Sequence, residues 1–191
     1  MTTFLILAPY GAFAMLMLVT SPATSLFASA AICLAVIAFD LARGHQVKLL
    51  GAGTALIFAA LGCHQILADP PLSKLAIRIA VDGGLFLAGA LSLALRKPFT
   101  LQYAREMVDA ETARLPEFVT ANYVITSVWL AAFLLMAVAN LLLLNLPDLP
   151  LWSGFVIALA IRNPALYFSK WYPGYIRRKL GPPPALATDA R

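Results

Sequence analysis

Six apolar runs follow one another along this chain, at about 4–20, 23–40, 49–68, 73–95, 118–143 and 150–168, and the breaks between them are too short to hold a soluble domain. A helix crossing roughly 30 Å of hydrocarbon needs about 20 apolar residues, and every run is close to that length. Of the 191 residues 61% are hydrophobic and 12% charged, against roughly 45–50% and about 25% in an ordinary soluble domain. A water-facing surface cannot be assembled from such a composition. The expected fold is all-α: a polytopic membrane helical bundle of about six transmembrane helices with a short cytoplasmic amphipathic helix. Residues 1–180 are expected as a single integral membrane domain, and 181–191, with Pro182, Pro183 and Pro184, as a disordered cytoplasmic tail.

The first run has no basic segment before it and a second apolar run directly after it, so it is expected as a retained span and not a cleaved signal peptide. Ser21-Pro22 closes it, and the uncharged connection makes the first two spans a compact hairpin. Basic residues flanking spans are kept on the cytoplasmic side. Arg43 and Lys48 follow the second run, Arg96, Lys97, Arg105 and Arg114 the fourth, and Lys170, Arg177, Arg178, Lys179 and Arg191 the sixth. The opposite connections supply Lys74, with Arg78 a turn deeper. Both termini are therefore expected in the cytoplasm. The net charge of +5 is read as this topology signal, and no nucleic-acid partner is expected.

An ionisable group at bilayer depth costs at least about 2.5–3.5 kcal/mol on insertion scales, so each one raises a functional question. Arg78 and Asp82 stand at i and i+4 on one face of the fourth run. They fit either an intrahelical ion pair with Arg78 reaching toward the outer surface, or a polar cavity using Asp82 as a proton or cation site. Arg162 precedes Asn163-Pro164, and a residue before proline avoids regular helix. The sixth helix is expected to kink or end there, leaving 165–180 as an aromatic and basic anchor in the interface. In the fifth run Asn122, Thr126, Trp129, Phe133, Met136 and Asn140 recur at steps of four and three along one stripe. Such a stripe packs against neighbouring helices, its asparagines bonding across the contact, or lines a ligand pocket. Ala80, Gly84 and Ala88 place small residues every four positions, a signature of close helix approach.

Residues 97–117 are expected to carry the amphipathic helix, with Leu101, Ala104 and Val108 opposite Gln102, Arg105, Glu106 and Asp109. With four basic and four acidic residues over 96–117, a protein-docking surface suits this segment better than anionic lipid; its candidates are Lys97, Pro98, Gln102, Tyr103, Arg105 and Glu106. Cys33 and Cys63 have no metal or disulfide spacing, and His64 has no second ligand at i+3 or i+4. Among the familiar motifs HExxH, GxSxG, the P-loop and the Rossmann glycines are missing. No catalytic residue, metal ligand or cofactor is expected, and an enzyme is the less favoured class.

The Lys97-Pro98 loop, Glu106, Pro116, Asn122, Trp129, Phe133 and Asn140 together resemble the second half of the intracellular septation protein A family of bacterial inner-membrane proteins. The stretch Pro98 to Glu106, followed by Asn122 and Ile125 to Trp129, also resembles a group of uncharacterised bacterial membrane proteins. The first resemblance implies a non-enzymatic scaffold or accessory protein of the inner membrane, tied to envelope synthesis or septation through other membrane proteins or a second copy of the chain. Two alternatives stand beside it. One is a small-solute or ion transporter using Asp82 and Arg162. The other is a membrane-embedded lipid- or cofactor-binding protein. Convergence of Arg78, Asp82, Asn122 and Arg162 on one cavity is the geometry that favours transport.

Overall fold

The computed structural model describes residues 2–146, 149–150 and 152–180; the tail expected at 181–191 lies outside them. The described residues are helical, with no strand among them. In chain order the helices are α1 (Thr2–Val19), α2 (Pro22–Ala42), α3 (Leu49–Leu67), α4 (Lys74–Ala94), α5 (Phe99–Ala104), α6 (Pro116–Leu143) and α7 (Trp152–Leu180). Single 3-10 turns lie at Arg105–Met107 and Thr112–Arg114.

Four helices, α2, α3, α4 and α6, are long and apolar enough to cross a membrane, so the count of six spans is met only in part. The apolar stretch of α1 among the residues described is Pro9–Val19. In α7, Arg162, Lys170 and the basic end Arg177–Lys179 dilute an otherwise apolar helix. Large apolar side chains such as Leu34, Leu56, Leu67, Leu87 and Leu142 are exposed on the outside of the bundle. A soluble chain rarely carries so extensive an apolar surface, whereas lipid contact stabilises it.

Each turn follows from local chemistry. The hydroxyl of Ser21 accepts the Thr24 N–H (3.2 Å) and Pro22 opens α2, which gives the expected tight hairpin. Ser73 caps α4 in the same way through Ala76 N–H (3.1 Å). At the other end of α4, Arg96 adopts a positive φ of 55°, and the buried Ser92 hydroxyl accepts the Phe99 N–H (3.1 Å). These turn the chain sharply into α5.

Consecutive helices pack on one another from α1 to α4, then α4 on α6 and α6 on α7. The small residues of α4 face α3 as expected. A Cβ on Gly84 would lie 2.8 Å from Ile57 Cδ1, and one on Gly53 would lie 3.3 Å from the Ala88 methyl. The rings of Tyr10 and Phe13 lie against Phe58 and fasten α1 to α3. Lys74 Nζ donates to the Met17 carbonyl (3.2 Å) and ties the end of α1 to the start of α4.

Two expectations are corrected. The break at Asn163-Pro164 does not occur, and α7 runs 29 residues through both Pro164 and Pro173. Each proline removes one N–H and leaves one carbonyl a turn earlier without its helical donor, a loss that neighbouring groups absorb within a bundle. The short amphipathic helix expected within 97–117 is α5 with one 3-10 turn after it, but it ends before Val108, the third member of its expected apolar face. Val108 is extended, and the Asp109 carboxylate takes the Thr112 N–H (2.8 Å) and hydroxyl (3.0 Å), a local turn that competes with helix. Those two donors hold the Asp109 carboxyl below its ordinary range.

Candidate functional site

The polar stripe of α6 is buried along its whole length, Asn122, Thr126, Trp129, Phe133, Met136 and Asn140 included. Except for Thr126, its members line a cavity of about 570 Å³ bounded by residues of α1, α4, α5, α6 and α7. That volume falls within the roughly 300–1,000 Å³ of small-molecule sites. From Asn122 to Asn140 the α6 wall rises about 27 Å at about 1.5 Å per residue, close to the thickness of the hydrocarbon core.

Six of the seven intramembrane candidates meet here: Arg78, Asp82, Asn122, Trp129, Asn140 and Arg162. At one end Asn140 Nδ2 donates to Asp82 Oδ2 (2.8 Å), the expected bond across helices. Arg78 lies one turn before Asp82. Its Nη1 occupies the space beside Gly154, where a Cβ would meet it at 2.6 Å. Glycine at 154 therefore lets α7 close over the Arg78 and Asn140 side chains. Midway, Trp129 Nε1 donates to Ser169 Oγ (3.0 Å), which itself donates to the Ala165 carbonyl (2.8 Å). Asn122 does not reach across as expected, because its Nδ2 donates to the Phe118 carbonyl of its own helix (2.9 Å). Thr126 stands behind the wall and shares a hydrogen bond with Thr100 (2.7 Å).

Arg162 is the unusual member. Its Nε is enclosed, and among the described residues it has no hydrogen-bond partner; no carboxylate among them lies within ion-pair distance of the guanidinium. Lys170 and Arg177 also line the cavity, one and two further stretches along the same face of α7. Among the described residues, four basic side chains thus stand with one acidic side chain, Asp82, on the cavity wall. Between them the lining is mainly apolar, with Phe13, Leu85, Phe133 and Ala158 among its members.

The docking candidates of 97–106 divide between side chains engaged within the chain and side chains on the outside. Pro98 is fully buried and Tyr103 lines the cavity. Gln102 accepts the Leu49 N–H through Oε1 (2.8 Å) and donates to the Lys97 carbonyl (3.0 Å). Glu106 Oε2 lies 3.0 Å from Lys48 Nζ and 3.4 Å from His45 Nδ1. Lys97 and Arg105 remain exposed. Lys48 is the centre of this cluster, since its ammonium also meets Asp40 Oδ2 (2.5 Å) and lies 5.2 Å above the Tyr103 ring. Burial, with Asp40, Cys33 and Glu106 nearby, pushes the Tyr103 hydroxyl well above its ordinary range. The segment after α4 is therefore fastened inward over one end of the cavity.

Sequence reasoning missed Gly154, Ser169, Lys170, Arg177 and the Lys48 cluster. A signal was present for the α7 residues: Ala158, Arg162, Leu166, Ser169, Pro173 and Arg177 recur at steps of four and three. It is visible only if the helix is continued through Pro164. His64 and Cys63 are exposed at the end of α3, and Cys33 is buried. No group of three metal-ligating side chains occurs among the described residues. Comparison with protein-family models, with curated proteins and with solved structures finds no match.

Proposed function

We propose that the chain is an intramembrane ligand-binding protein of the carrier type, whose substrate occupies the cavity between α1, α4, α6 and α7. The observation that carries this is the convergence of Arg78, Asp82, Asn122, Trp129, Asn140 and Arg162 on one wall-lined space. Structural packing alone gives no reason for six polar side chains from three helices to share an opening. In this reading α1 and α7 also cross, giving six spans with both termini cytoplasmic, as the Lys and Arg bias requires. The inward-fastened end at Tyr103 then faces the cytoplasm. A role in bacterial envelope synthesis or septation is compatible with such a protein, with the cavity as its working part. The surface at 97–106 is a poorer basis for a scaffold, because Gln102, Tyr103 and Glu106 are engaged within the chain.

Native mass spectrometry of gently solubilised protein tests the proposal. Wild type is expected to retain a small molecule that Ala158→Trp, which fills the cavity from α7, does not. A bare wild-type chain, or retention indifferent to Ala158→Trp, overturns it.

A further inference from the structure

The cavity carries a charge pattern and an opening that together specify what it takes. Among the described residues Arg78, Arg162, Lys170 and Arg177 face it with Asp82 as the acidic member, so the basic side of the wall around Arg162 favours an anion over a cation. Asp82 already accepts from Asn140, and it lies on the same helix face as Arg78 one turn on. Arg162 has no such partner among the described residues. A half-buried guanidinium whose enclosed Nε has no partner among the described residues is a group to which an anion binds with charge-assisted hydrogen bonds. The remaining wall is mainly apolar, with Phe13, Val81, Leu85, Phe133 and Ala158 among its members, so the anion has a hydrophobic body. Access follows from the packing order: α1 and α7 flank the cavity through Tyr10, Phe13, Phe155 and Ala158, yet they make no extended contact with each other.

We infer that the occupant is a long-chain amphiphile with a phosphate or carboxylate headgroup, admitted sideways from the bilayer between α1 and α7 and held by Arg162. This rests on the cavity being a binding site and adds the ligand class. Apolar pocket and basic side chain are both needed: a cation site would present more carboxylates than Asp82, and a purely apolar groove would not place Arg162 on its wall.

The test uses the full chain in phosphatidylcholine nanodiscs doped in turn with hexadecyl phosphate, hexadecanol and hexadecyltrimethylammonium, with butyl phosphate added from water, and bound species counted by native mass spectrometry. Hexadecyl phosphate is expected to be retained at least tenfold over the other three. Arg162→Gln is expected to weaken retention about tenfold or more, Arg162→Lys to restore part of it, and Arg114→Gln, an exposed base outside the cavity, to leave it unchanged. Circular dichroism of each variant confirms the helical fold. Equal retention of hexadecanol or the ammonium, or an Arg162→Gln variant that binds as wild type, overturns the anionic headgroup. Butyl phosphate bound as tightly as hexadecyl phosphate overturns the amphiphile while leaving the cavity as a small-anion site. Retention that survives Ala158→Trp means annular lipid and overturns the cavity reading itself.

Discussion

Neutralising Asp82 tests whether the charged end of the cavity works as a coupled pair. Arg78 is 7% exposed and Asn140 5%, so neither can turn to water when its neighbour changes. At i and i+4 two side chains stand about 6 Å apart, and unit charges at that separation interact by about 3 kcal/mol at an effective dielectric of about 20. Asp82→Asn keeps an oxygen for the Asn140 N–H, so the hydrogen bond survives and the charge alone is lost. The expected cost is about 2–3 kcal/mol, chiefly because the buried Arg78 guanidinium loses the attraction of the Asp82 carboxylate. Arg78→Gln is expected to cost a similar amount by stranding the carboxylate. The double variant has neither charge, and its loss should be about 1 kcal/mol or less, since replacing both members of a buried pair is often near neutral. Reversible unfolding in mixed micelles by titration with a denaturing detergent, followed by helical circular dichroism, gives the three values. Losses that add in the double variant would refute the coupling. A neutral Asp82→Asn would mean that Asp82 carries no charge in the folded chain.

Three further outcomes follow from the packing. Gly84→Val places carbon against Ile57, already 2.8 Å from a Cβ at that position, and should cost about 1–3 kcal/mol by overpacking, with Ile57→Ala restoring much of it in the same unfolding assay. Lys48→Met leaves Asp40 and Glu106 without their shared cation; it should destabilise by about 2 kcal/mol, less than a fully buried pair because both carboxylates are partly exposed, and hydrogen exchange at 99–107 should speed up while α6 stays protected. Raised by burial and its acidic neighbours, the Tyr103 hydroxyl contributes stability that is complete below the ordinary tyrosine value of about 10 and is lost as pH climbs through the higher folded value. Alkaline titration should therefore loosen 99–107 in wild type, and Tyr103→Phe should remove that pH dependence.

The helices were legible because lipid-crossing segments need uninterrupted apolar length, and five of the six runs coincide with helices to within two residues at either end. The α6 stripe was legible for the same reason that it is buried: its period is that of a helix face, and every member is covered. What it faces was not legible. A stripe pattern is the same whether a neighbour packs tightly or leaves a cavity, and that depends on Gly154 and on the angle at which α7 meets α6. The run at 150–168 ends where the apolar residues give way to Lys170 and the basic end, whereas the helix continues to Leu180 because the period of the residues beyond still packs one face inward. In the bundle, one lost N–H at Pro164 is a smaller loss than unpacking Leu166, Phe168 and Tyr172, which all pack against the core. The Lys48 cluster joins the α2–α3 turn to the segment after α4, and no pattern within either segment announces a contact across more than fifty residues.

The continuity of α7 also reconciles two readings that the sequence set against each other. At about 1.5 Å per residue its 29 residues extend about 43 Å, about 13 Å more than the hydrocarbon core requires. Asn140 beside Gly154 and Trp129 beside Ser169 fix α7 antiparallel to α6. On the proposed topology Arg162 then lies about 12 Å below Gly154, deep in the membrane. The excess length falls at the other end, where Phe168, Trp171, Tyr172 and Tyr175 stack ring on ring beside Arg177 and Arg178. An aromatic and basic girdle at that level is what an interface selects. On that proposed topology the same helix both spans and anchors. Because the anchor is rigidly joined to the span, any shift of α7 within the interface moves Arg162 relative to the α6 wall.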